Sequence, residues 1–162
     1  MPVKSDNACY GQNQDTKSYH YLEDLRIIAS GSMYLSKELN TDHLTVSIAG
    51  SGSFLAPSLE CSQKLSIQVI GSGDISCSKL QTEQCDINIA GSGNIRVSDI
   101  QAEKLTGAVA GSGDLHLQGK ARKAEYHQAG SGTIHAEEYA AQDVIAQCIG
   151  NGEIYCLSLI HI

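Results

Sequence analysis

Six positions in this chain repeat one chemical theme. Ser53, Asp74, Asn94, Asp114, Thr133 and Glu153 each follow a Gly-Ser-Gly or Gly-Asn-Gly triplet. A file of oxygen ligands behind glycine turns is what a calcium-binding repeat would present. Calcium-stacking solenoids, however, use nine-residue units with a GGxGxD pattern, which is absent here. The acids also alternate with neutral residues, so like charges would not stack. Capping of the turns is therefore the expected role. His116 and His135 fall at equivalent positions in neighbouring repeats, in line with Arg96 and Tyr155. Two imidazoles about 5 Å apart could begin a metal site. The spacing supplies no third ligand, so no metal and no cofactor are expected.

Carboxylates that could hydrolyse a glycan must converge in a cleft. Asp86 and Glu125 are two repeats apart, and Glu137, Glu138 and Asp143 cluster late in the chain without an evident partner set. The repeat length hardly varies, so no inserted loop can build a cleft. No catalytic residue is expected, and the chain is read as a non-enzyme. The one basic cluster, KARK at Lys120–Lys123, reads as a solvated turn or a small anion contact.

The repeat itself must position all of these side chains. Its punctuation is Gly50-Ser51-Gly52, Gly71-Ser72-Gly73, Gly91-Ser92-Gly93, Gly111-Ser112-Gly113, Gly130-Ser131-Gly132 and Gly150-Asn151-Gly152. Gly31 opens a partial first copy in which Met33 replaces the second glycine, which predicts a looser turn there. The spacing is 19 to 21 residues throughout. Before each triplet, apolar residues alternate with polar ones: Leu44, Val46, Ile48; Leu65, Ile67, Val69; Cys85, Ile87, Ile89. After it the alternation resumes, as in Ile75 and Cys77, Ile95 and Val97, Leu115 and Leu117. A weaker third pair includes Leu80 and Thr82, and Ile100 and Ala102. Period-two alternation marks strands with one face buried.

One 20-residue unit cannot bury its own apolar face, but stacked units can. The expected fold is all-β: a single-domain parallel β-helix, or β-solenoid, of about 20 residues per rung and six to seven rungs. The triplets are its structural corners, since glycine reaches backbone angles that other residues avoid. Their central column, from Ser51 to Asn151, is expected to form a hydrogen-bonded ladder. Gln128 breaks an otherwise apolar inward column, so either the strand shifts there or its amide bonds to corner backbone.

The chain has 162 residues, enough for one domain. Aromatics are 5% with no Trp, so the core must be aliphatic. A net charge of −7 argues against a nucleic-acid partner, which demands clustered Lys and Arg. No apolar run approaches the length of a membrane helix, so no membrane insertion is expected. The boundaries expected are a polar N-terminal segment or cap over 1–24, the β-helix over 25–156, and a non-native, adapter-derived tail over 157–162. The opening residues carry no apolar stretch of the kind an export signal needs. Six cysteines (Cys9, Cys61, Cys77, Cys85, Cys148 and Cys156) show no metal-binding spacing and read as mostly buried free thiols. An uncapped last rung would favour self-association.

The stretches GSGDI at Gly71–Ile75, GSGNI at Gly91–Ile95, GSGDL at Gly111–Leu115 and GSGTI at Gly130–Ile134 resemble the auto-transporter adhesin, head GIN domain family. The resemblance spans about Ile27 to Cys156. It implies a right-handed parallel β-helix, a bacterial cell-envelope or extracellular setting, and an adhesin-like role with a surface glycan or protein as partner. It carries no catalytic residue. Two other functions compete with it: an intracellular, polymerising β-helix scaffold of bactofilin type, and a carbohydrate-active β-helix enzyme.

Overall fold

A computed structural model describes residues 24–29, 31–35 and 38–158. The strands are β1 (Asp24–Ala29), β2 (Ser32–Tyr34), β3 (Leu39–Gly50), β4 (Ser53–Gly71), β5 (Asp74–Gly91), β6 (Asn94–Gly111), β7 (Asp114–Gly130), β8 (Thr133–Gly150) and β9 (Glu153–Ser158). No helix occurs among the described residues. Every pairing is parallel, in the order β1-β3-β4-β5-β6-β7-β8-β9, with β2 beside β4. This is a β-solenoid of about 6 turns with ~20-residue spacing.

Each long strand is one rung, running from one glycine triplet to the next. Between β5 and β6 the pairing falls into three runs, which begin at Asp74, Leu80 and Gln84. The rung therefore has three legs, and the alternation within each leg sends one side chain in and the next out. Parallel register then places like above like. Ile75, Ile95, Leu115 and Ile134 form one inward file, each exposed by 1% or less. Ile67 and Ile87 stack in another, both fully buried. Burying each such side chain contributes about 2 kcal/mol, and only the stack makes that burial available.

The first rung is offset from the spacing-based expectation. Ala29, not Gly31, pairs with Gly50. Met33 pairs with Phe54 and is 2% exposed. It is thus a core residue in the file of Phe54 and Ile75, not a substitute for a corner glycine. Its long apolar side chain is what that inward position requires.

Among the described cysteines all are free, and Cys61, Cys77 and Cys85 are buried. Cys148 and Cys156 are exposed. They occupy inward files, but in the rung of β8 and β9, where no further described rung lies over them. Residues 1–23, including Cys9, lie outside the described residues. Of the 157–162 segment, Leu157 and Ser158 pair with Ala140 and Ala141, and 159–162 lie outside the described residues.

Candidate functional site

The glycine triplets form a seam along the rod, and its two glycines are needed for separate reasons. Gly71 has φ of 115°, a region that side-chain-bearing residues rarely adopt. Gly73 lacks that constraint, but a Cβ there would lie 2.6 Å from the Gly52 carbonyl oxygen and 2.5 Å from Ile48 Cγ2. The rungs touch through backbone. The Ser72 N–H donates to the Gly50 carbonyl at 2.9 Å, and Ser92 repeats this to Gly71 at 2.8 Å.

The side-chain ladder lies one file beyond the serines. Ser51, Ser72, Ser92, Ser112, Ser131 and Asn151 point to solvent. Asp74 Oδ1 accepts from both the backbone N–H and the side-chain amide of Asn94, each at 3.1 Å. Asn94 Oδ1 accepts from the Asp114 N–H at 3.3 Å, and Asp114 Oδ1 from the Thr133 N–H at 3.1 Å. The hydroxyls are displaced from this role because a serine at the bend projects outward, whereas the next residue starts a leg and lies over its neighbour. Asp74, Asn94 and Asp114 are thus engaged with the backbone of the following rung, while Glu153 accepts from the Tyr155 hydroxyl.

Two of the carboxylates weighed for hydrolysis have lysine partners. Asp86 pairs with Lys64 at 2.8 Å, and Glu125 with Lys104 at 3.3 Å. The hydrogen bond to Asp86, and then its charge, hold the Lys64 ammonium above its ordinary pKa. Asp143 lies beside Lys123 in the ladder. Burial makes the inner thiols unreactive: Cys61 is pushed up to about 12 and Cys77 to about 11.

A concave surface opens at a different edge of the rung. Its floor is the file Thr82, Ala102 and Ala121. One wall is Gln81, Gln101 and Lys120; the other includes Glu83, Glu103 and Arg122. Thr82, Ala102 and Ala121 turn toward the core, and the hollow opens between the outward side chains on either side of them. The groove encloses about 920 Å³ and extends from Cys61 to Gln142. It crosses rungs β4 to β8, so it runs parallel to the rod. Two residues of the KARK cluster, Lys120 and Arg122, belong to its walls. Arg122 lies 3.9 Å from Glu103, both largely solvent-exposed.

Leu55, Ser76, Arg96, His116, His135 and Tyr155 form an outward file. The His116 and His135 rings stack 4.4 Å apart and within 2° of parallel, and Tyr155 stacks on His135 at 5.5 Å. Burial, then the neighbouring His135 and Arg96, lower the pKa of His116. Glu137 Oε1 reaches within 3.7 Å of His135 Nδ1. Among the described residues, no three His, Cys, Asp or Glu side chains already stand in metal-holding geometry. Gln128 keeps its register between Val109 and Cys148 and is 1% exposed, yet neither amide atom has a partner. Neither alternative expected for it occurs.

Neither the curated proteins nor the solved structures contain a match to the chain. The family described as "Putative auto-transporter adhesin, head GIN domain" matches residues 63–159, more than half of the sequence. That stretch holds the corner seam from Gly71 to Gly152 and the groove floor from Thr82 to Ala121. Turn, rung and matched span coincide, and the chain belongs to the auto-transporter adhesin, head GIN domain family.

Proposed function

We propose that the protein is a non-catalytic β-helix module of the bacterial cell envelope or cell surface, which binds an extended surface glycan along its groove. The observation that carries this reading is the groove, whose walls offer amide and carboxylate groups on β5 and β6 (Gln81 and Glu83, Gln101 and Glu103) and cations on β7 (Lys120 and Arg122). A linear polymer of hydroxyl-bearing units finds hydrogen-bond partners along its whole length on such a surface. The family description supports the envelope setting. The lysine-paired carboxylates support a binding role over hydrolysis.

A glycan array tests it. Gln101→Trp, at an exposed wall position, projects a ring into the groove and should abolish binding, while Asn88→Trp, on an outward sheet position, should leave it unchanged. Binding that survives Gln101→Trp, or its absence from every glycan offered, overturns the reading. Release of reducing ends from a bound polysaccharide would favour the enzyme instead.

A further inference from the structure

We propose that His116, His135 and Glu137 form a binding site for a divalent transition-metal ion of the zinc class. The ladder places the two imidazoles one rung apart in register, with ring centroids 4.4 Å apart. A tetrahedral zinc with Zn–N bonds of about 2.0–2.1 Å holds its nitrogens about 3.3 Å from each other. Parallel stacked rings aim their in-plane nitrogen lone pairs side by side, so both surface imidazoles must turn about χ2 for the lone pairs to meet at one ion. Tyr155 covers the far face of His135, so the free direction of tilt is toward His116.

The third ligand comes from a local irregularity. The β7–β8 pairing shifts between His116 and Gln118, and Gln118 pairs with Glu138, leaving Glu137 as the extra residue. Such a bulge re-aims a side chain, and here it brings the Glu137 carboxylate beside His135. A hollow of about 140 Å³ lies among His116, Gln118, His135, Glu137 and Glu138. It is large enough for an ion and for the water that completes its coordination. Imidazole and carboxylate together suit zinc, nickel and copper better than calcium or magnesium.

The surrounding charges set the sign of several effects. Arg96 precedes His116 in the file and opposes a cation. Asp114, Glu137 and Glu138 favour one, and Glu153 lies beyond Tyr155 on the last rung. Both imidazoles must be neutral to ligate, so binding weakens as the pH falls through the histidine range.

Calorimetric titration of the full chain with zinc ions tests the proposal. Cys9, Cys148 and Cys156 are replaced by Ser so that thiols do not compete. One equivalent should bind at pH 7.5 and be lost at pH 5.5. His116→Ala and His135→Ala should each weaken binding at least tenfold, about 1.4 kcal/mol or more. Glu137→Gln should weaken it several-fold, and Arg96→Gln should strengthen it. Histidine side-chain NMR should show zinc-induced shifts confined to His116 and His135. Circular dichroism melts verify that each variant folds. No binding, or binding indifferent to both histidine substitutions, overturns the site. Neither result bears on the groove.

Discussion

The rungs of β4 to β6 and those of β7 to β9 follow one backbone path but fill it differently. In the first set most inward places before the corners are aliphatic: Leu65, Ile67, Val69, Ile87 and Ile89, with Ile95 after one, are all almost fully buried. In the second, Ala124, Tyr126, Gln128 and Tyr139 take equivalent places. Volume is shared between neighbouring rungs. Tyr126 lies over Gly107, where a Cβ would sit 3.3 Å from its ring. Tyr139 follows Gly119, which follows Ile100. A file can therefore pass from large to small to large without losing its packing, because the stack fills space along the axis as well as within a layer. What it does not balance is polarity. The Gln128 amide and the Tyr139 hydroxyl are buried without partners, and each costs free energy; in the first set the Ser58 hydroxyl of β4 is buried in the same way.

The largest effect expected tests what both regions share. Gly91 has φ of 134° and packs on the backbone of Gly71. Gly91→Val should destabilise by about 4 kcal/mol, and an unchanged melting temperature would count against the corner's role. The core contrast comes next. Gln128→Leu should stabilise by about 2 kcal/mol by removing unpaired polar atoms. Ile89→Gln, in the same file two rungs earlier, should cost at least as much; equal effects of one sign would erase the distinction. Tyr139→Phe should stabilise by about 1 kcal/mol in denaturant titration.

A smaller effect concerns acid. The pKa of His116 is lowered in the folded state, so below its ordinary pKa of about 6.5 the unfolded chain binds the extra proton more readily. This contribution is fully present above that pH and is lost on acidification toward the folded value. The fall in melting temperature from pH 7.5 to 5.5 should be smaller in His116→Gln than in the parent. The smallest effect belongs to the aliphatic region. Lys64→Met breaks a partly exposed ion pair and should change stability by less than about 1 kcal/mol.

The rung, its corners and the inward files were legible because each has a period that recurs along the chain. Ile75, Ile95 and Leu115 announce one another by spacing alone. The first rung shows the limit of that signal: Gly31 has the spacing of a triplet glycine, but Met33 is buried on Phe54, and that burial fixes the register. The groove was not legible, because small residues at Thr82, Ala102 and Ala121 look like a weak strand pair until the bend beside them is seen. Gly119, with φ of 135° over the Ile100 backbone, stands outside any triplet. Only its position beside KARK could have hinted at a second kind of turn. Glu137 approaches the histidines through a register shift, and a shift of one residue leaves no mark in a period that already varies by one.

The in-register backbone seam has an evolutionary corollary. Because Gly71, Gly91 and Gly111 meet their neighbours through the same atoms, an in-frame duplication or deletion of one unit would rejoin surfaces that already match. Such an event changes reach by about 4.8 Å, one strand spacing. Genes built this way can tune how far a module projects without inventing any new contact.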